Sequence, residues 1–192
     1  MNSSPSPAPG EPRQWQRESD TLTVVTDAKT DFWRETHYGF IRDNGHAFLA
    51  DHAGDFTAQI RVQAKFSHLY DQAGLMIRLD DRNWVKFGVE YNDGKAAVSA
   101  VVTLPHSDWS TGPFEGDQSI FWLRATISDG ILRLQMSPDG KTWPMIRLCQ
   151  FPQAKTYKIG PMCCTPQRAG LRVTFSQWLL RPPLIRDLHD LT

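Results

Sequence analysis

The chain has few cysteines, no long apolar run and no excess of charge of either sign. Each shortage removes a class of protein. Nothing approaches the ~20 successive apolar residues of a spanning helix, so no membrane span is expected. No apolar stretch follows a basic start at the N-terminus, so no secretory signal is expected either. The three cysteines are Cys149, Cys163 and Cys164. An odd, small number without such a signal points to reduced thiols in a cytoplasmic setting. Cys163 and Cys164 are neighbours on an expected strand, so they point to opposite sides and at most one faces the core. No second cysteine pair and no histidine cluster stands at ligand spacing, so neither a metal nor another cofactor is expected. Lys plus Arg and Asp plus Glu both number 21, and the basic residues are scattered. A nucleic-acid partner, which calls for a basic face, is therefore not expected. No segment sustains the i, i+3, i+4, i+7 apolar pattern, so helix content should be low.

What the chain does have is alternation. Residues 1–13 are rich in Pro, Ser and Gly and read as a disordered tail; 14–192 is the right length for one domain. Short runs of period two fill it: Leu22–Thr26, Ala47–Asp51, Asp55–Phe66, Ala73–Asp80, Asn83–Tyr91, Ala96–Leu104, Ile120–Ser128, Ile131–Ser137, Met145–Phe151, Tyr157–Cys163 and Leu171–Leu180. Asn92-Asp93-Gly94, Ser128-Asp129-Gly130 and Pro138-Asp139-Gly140 are turn signals, because tight hairpins need residues that tolerate positive φ. Strands and turns at this spacing predict an all-β sandwich or barrel.

The alternation also sorts faces. Ala73, Leu75, Ile77 and Leu79 oppose Gly74, Met76, Arg78 and Asp80. Val85, Phe87, Val89 and Tyr91 oppose Trp84, Lys86, Gly88 and Glu90. Phe121, Leu123, Ala125 and Ile127 oppose Trp122, Arg124 and Thr126, and Leu171, Val173 and Phe175 oppose Arg172, Thr174 and Ser176. If these strands are neighbours in one sheet, its outer face carries Arg78, Lys86, Glu90, Arg124, Arg172, Trp84 and Trp122. Indole platforms beside charged groups suit a polyhydroxyl ligand, whose C–H faces stack and whose hydroxyls accept and donate. The alternative is a solvated face with its tryptophans under loops and Arg–Glu pairs across strands.

Phe32-Trp33-Arg34, Thr36-His37-Tyr38-Gly39-Phe40-Ile41-Arg42-Asp43-Asn44-Gly45-His46, Gly54-Asp55-Phe56, Tyr70-Asp71-Gln72-Ala73-Gly74-Leu75-Met76 and Trp84-Val85-Lys86-Phe87-Gly88-Val89-Glu90-Tyr91 form a specific set. So, further on, do Val101-Val102-Thr103, Ser107-Asp108-Trp109-Ser110 and Ile159-Gly160-Pro161-Met162. Together they resemble the family of domains of unknown function numbered 1349, which includes a fungal protein linked to regulation of enolase. The resemblance runs from about residue 20 to 182. It implies a two-sheet antiparallel jelly roll of the concanavalin A-like lectin/glucanase kind and carries no established reaction.

Glycoside hydrolysis needs two suitably spaced carboxylates. Glu90 has Lys86 and Gly88 at the preceding same-face positions, so any second acid must come from Asp71, Asp80 or Asp108. Gln72 shares a face with Met76 and Arg78, and Asp108 and Trp109 would rim a ligand from a loop or strand end. Trp33, His37 and Tyr38 form an aromatic loop that should fold over a sheet as a lid. Ser137–Trp143 should be a hairpin with Trp143 packed back on the sheet. The leading expectation is a binding domain, leaning away from an enzyme, that takes a small carbohydrate-like ligand on its concave sheet. The expected site is Gln72, Met76, Arg78, Trp84, Lys86, Glu90, Asp108, Trp109, Trp122, Arg124 and Arg172. The rivals are a regulatory protein-interaction module linked to central carbon metabolism and a glycoside-active enzyme.

Overall fold

A computed structural model of the chain describes residues 10–192. Residues 1–9 of the expected tail lie outside the described residues, whereas residues 10–13 are tied down. Asp27 N–H donates to His46 Nε2 at 2.9 Å, so Nδ1 carries the proton and donates to the Gly10 carbonyl, also at 2.9 Å. The Arg13 amide donates to Asp27 at 3.2 Å.

Sixteen strands follow in chain order: β1 (Gln14–Glu18), β2 (Thr21–Val25), β3 (Phe32–Arg34), β4 (Ile41–Asp43), β5 (His46–Ala47), β6 (Ala50–Ala53), β7 (Phe56–Ala64) and β8 (Gln72–Arg78), then β9 (Trp84–Asn92), β10 (Lys95–Thr103), β11 (Ser107–Gly112), β12 (Ile120–Ser128), β13 (Ile131–Ser137), β14 (Met145–Gln150), β15 (Thr156–Cys164) and β16 (Arg172–Arg181). The first sheet runs β1-β2-β16-β7-β12-β13-β14 and the second β11-β10-β9-β8-β15-β5, with β6 also on β15. Strands β3 and β4 form a separate ribbon. This is the all-β, two-sheet sandwich of concanavalin A-like kind that the family resemblance implies; the strand pattern alone leaves sandwich and barrel open.

The core follows from the alternation. Phe56, Ala58, Ile60 and Val62 of β7 and Phe121, Leu123, Ala125 and Ile127 of β12 share one buried cluster with Leu75, Ile77, Val85, Phe87 and Val89 of the second sheet. Each large side chain so buried contributes roughly 1.5–3 kcal/mol. All four inward sets expected above point into this core or pack on its margin. The two-residue turns at Asp93-Gly94 and Asp129-Gly130 hold both residues at positive φ, the geometry that matches strand twist.

Two local features differ from expectation for identifiable reasons. The expected strand Ala47–Asp51 is broken into β5 and β6. At the break Phe48 N–H donates to the Pro161 carbonyl at 3.0 Å, and Pro161 has no amide to return. The Phe48 carbonyl lies where a Cβ on Gly160 would stand, 2.0 Å away. Ser107–Gly112 is a complete edge strand where the sequence suggests a loop or a strand end. The Ser137–Trp143 segment is a turn in which Asp139 accepts the Lys141 and Thr142 amides at 2.8 Å each. Trp143 is buried there, as expected.

Candidate functional site

The expected single face is divided between two sheets. Strands β8 and β9 belong to the second sheet, but β12 and β16 belong to the first. Trp122, Arg124 and Arg172 therefore lie on the opposite side of the sandwich from Lys86 and Glu90. Period two separates inward from outward without saying which sheet a strand joins. Trp122 donates to Gln177 at 2.7 Å and lies beneath Arg61. Arg124 stacks 3.9 Å over the Trp143 ring, and Arg172 is exposed near the start of β16.

The outer face of the second sheet is partly roofed. Phe32 and Trp33 of β3 pack on Met76, Trp84, Val101, Met162 and Cys164 in a second apolar cluster. The aromatic loop thus folds over the sheet as expected, and it removes two expected contacts. Trp84 is 1% exposed and Met76 fully buried, so neither is a platform for a guest. Cys163 faces the main core and Cys164 the roofed face, so both thiols are buried. Arg78 grips Asp43 of β4 with both guanidinium nitrogens, the second at 2.7 Å. Asp108 is paired with Arg147 of β14 at 3.0 Å, joining the sheet edges. Each acid considered as a partner for Glu90 is committed elsewhere: Asp108 to Arg147, Asp71 to Arg168 at 2.6 Å, and Asp80 to the amides of its own turn.

Four expected residues do come together. Gln72, Lys86, Glu90 and Trp109 line a cleft of about 190 Å³ between the roof and strands β9 and β10, with Asp31 and Tyr38 opposite. Asp31 is the acid that sequence reasoning missed. It stands just before β3 in a loop, where no periodicity marks it; its position next to Phe32-Trp33-Arg34 is the only signal.

The polar groups form a short relay. Lys86 Nζ donates to Asp31 Oδ1 at 3.2 Å, which also accepts the Phe32 amide at 2.8 Å. Trp109 Nε1 donates to Ser99 Oγ at 3.0 Å, and Ser99 donates to Glu90 Oε2 at 2.9 Å. Burial pushes the Glu90 carboxyl up, and Lys86 and Ser99 oppose it without cancelling it. Burial pulls the Lys86 ammonium down, but Asp31, Cys164 and Glu90 outweigh it and the net direction is up. At the rim Tyr38 and Tyr70 share a hydroxyl hydrogen bond of 2.9 Å. That bond, then burial, pushes Tyr70 up to about 12. Gln72 is 5% exposed and lines the cleft; among the described residues its side-chain amide makes no hydrogen bond, and it is not one of the fully enclosed unpartnered groups, so its polar atoms face the cleft's solvent.

Among the described residues no helix is long and apolar enough to cross a membrane, and no group of three or more His, Cys, Asp or Glu stands together to hold a metal ion. Sandwich, roof and cleft define a concanavalin A-like β-sandwich domain with one covered sheet face. The chain belongs to the family described as Protein of unknown function (DUF1349), whose model matches residues 10–183. It is 52% identical over 181 residues to Regulation of enolase protein 1 of Saccharomyces cerevisiae, covering 94% of this chain and 91% of that one. A crystal structure of a functionally unknown protein from Saccharomyces cerevisiae superposes with a TM-score of 0.90 at 51% identity, over 92% of this chain and 95% of that one. The GH43 BlXynB protein from Bacillus licheniformis is similar at a TM-score of 0.63 and 17% identity, over 89% of this chain and 35% of that one. That last likeness concerns the fold alone.

Proposed function

We propose that the cleft beneath the β3–β4 roof binds a small carbohydrate-like molecule. The observation that carries this reading is the Gln72 amide, which faces an aromatic-walled cleft and makes no hydrogen bond among the described residues. A sugar ring would lay its C–H face on Trp109 or Tyr38 and give its hydroxyls to Gln72, Glu90 and Lys86. Titration calorimetry with a panel of neutral mono- and disaccharides tests it. One class should bind, and Gln72→Ala and Trp109→Ala should each weaken it about tenfold, roughly 1.4 kcal/mol. Silence across the whole panel would overturn the proposal. Three unpaired cysteines, two of them buried, support placing the chain in a reducing, cytoplasmic compartment.

A second reading, a regulatory module acting on a protein partner, is supported by the name of the yeast relative. Co-elution with purified enolase would favour it; separate elution at low and moderate salt would count against it. The fold likeness to a GH43 protein supports a glycoside-active enzyme only at the level of architecture. Turnover of a glycoside that survives Glu90→Gln would remove Glu90 from that role.

A further inference from the structure

We propose that the outer face of the first sheet is a site for a small phosphate-bearing anion, and that residues 183–192 form a lid over it. The evidence starts with strand register. Arg181 pairs with Thr57, Thr57 with Thr126 and Thr126 with Arg133, a row across β16, β7, β12 and β13. Arg124 lies two residues from Thr126 on the same face of β12. Three guanidinium groups therefore rise from one side of one sheet.

Arg124 and Arg133 are buried and Arg181 is half-buried, with little countercharge close by. Arg124 is 5% and Arg133 8% exposed, and the Nε atoms of Arg124, Arg133 and Arg181 are all enclosed with no hydrogen-bond partner. Among the described residues none of the three makes an ion pair with an Asp or Glu side chain. Buried charges are ordinarily paired, because desolvation without compensation is expensive. Here Arg124 stacks on Trp143, which fixes its plane and adds no negative charge. Burial, then repulsion from Arg181, Arg186 and Arg133, pushes Arg124 down to about 10.

What covers the arginines is backbone oxygen. Arg133 donates to the carbonyls of Arg186 at 3.3 Å and Leu188 at 3.2 Å, with Asp187 and Asp190 slightly further away. Arg124 donates to a terminal main-chain oxygen of Thr192 at 3.0 Å, and Arg181 donates to the Gln59 side chain at 3.1 Å. The segment is pinned by Leu184 N–H to Thr57 and by Trp143 N–H to Leu191. Its own carboxylate Asp190 is bonded to Arg186 and Thr192 and acts on Arg124 and Arg133 only from a distance, so beyond the Thr192 terminus the lid meets the three guanidinium groups mainly with dipoles. Forked guanidinium donors match phosphate oxygens, and three of them favour an anion of two or more charges. The family match ends at residue 183; the arginines lie inside it and the lid beyond it.

Titration of the full chain with inorganic pyrophosphate at low salt, with amide exchange followed over residues 184–192, tests both halves. We expect saturable 1:1 binding accompanied by faster exchange in the lid. Arg133→Gln should weaken binding at least tenfold. Arg124→Lys, which keeps the charge and guards against misfolding, should weaken it about threefold. No saturable binding, or binding that Arg133→Gln leaves unchanged, overturns the site. Binding with lid exchange unaltered overturns the lid.

Discussion

Glu90 is the residue at which the chemistry of the cleft is concentrated. It is 3% exposed, accepts one hydrogen bond from Ser99, and shares its surroundings with Lys86 and Asp31. Burial, helped by the charge of Asp31, outweighs Lys86 and Ser99 and raises its carboxyl above 4.5, its ordinary value. The folded protein therefore holds the Glu90 proton more tightly than the unfolded chain does. Stability gained from that proton is fully present below the ordinary carboxylate range and is lost as pH climbs through the raised value. Wild type should accordingly lose stability relative to Glu90→Gln as pH rises from the ordinary carboxylate range through the raised value. Urea unfolding of both proteins across that range checks this; a parallel pair of pH profiles would show that Glu90 is not held protonated by its burial.

At the scale of elements, the roof is the component most dependent on its surroundings. A two-stranded ribbon of three-residue strands is not stable alone. It is held by the apolar contacts of Phe32 and Trp33, by Arg34 reaching Ser107 and Pro105, and by the two-pronged Arg78–Asp43 pair. Asp43→Asn should lower global stability by no more than about 1 kcal/mol, since the pair is partly exposed. Amide exchange in β3 and β4 should nevertheless accelerate, and affinity for the sugar should fall with it. Unchanged exchange in the ribbon would show that the apolar contacts suffice to hold it. The roof also explains how far the sequence could be read. Alternation placed Leu75, Val85 and Leu123 inside because burial on one face has a period, and the run Phe32–Tyr38 signalled a lid. Trp84 sits in the polar set of β9 and still disappears under Phe32, because covering depends on a distant segment. Strand order arises from long-range pairings such as β2 with β16 and β16 with β7. Those pairings carry Trp122, Arg124 and Arg172 to the other sheet and leave no trace in the local pattern. Asp31, in a loop, has no period to read.

For the whole molecule, a formal net charge of zero conceals two unlike surfaces. One outer face bears two carboxylates and a lysine around an aromatic cleft; the other bears three arginines whose Nε atoms are enclosed without a hydrogen-bond partner among the described residues. Between them lie two sheets and their interdigitated core, about 10 Å thick. Coupling between distant sites requires an element with two arrangements that both ligands bias. The lid contacts only the first sheet through its described hydrogen bonds, and the roof packs only on the second. Among the described residues the sheet edges are bridged by Arg147 with Asp108 and Ser110 and, at the other edge, by Asp27 with His46 and Arg17 with Phe48, and none of these bridges includes a residue of the lid. Sugar affinity should therefore be the same, within about twofold, with and without saturating pyrophosphate. The effects of Gln72→Ala and Arg133→Gln on unfolding should add to within about 0.5 kcal/mol. A fivefold shift in sugar affinity on adding pyrophosphate would place a two-state element across the β11–β14 edge, and Arg147→Ala should then abolish the shift.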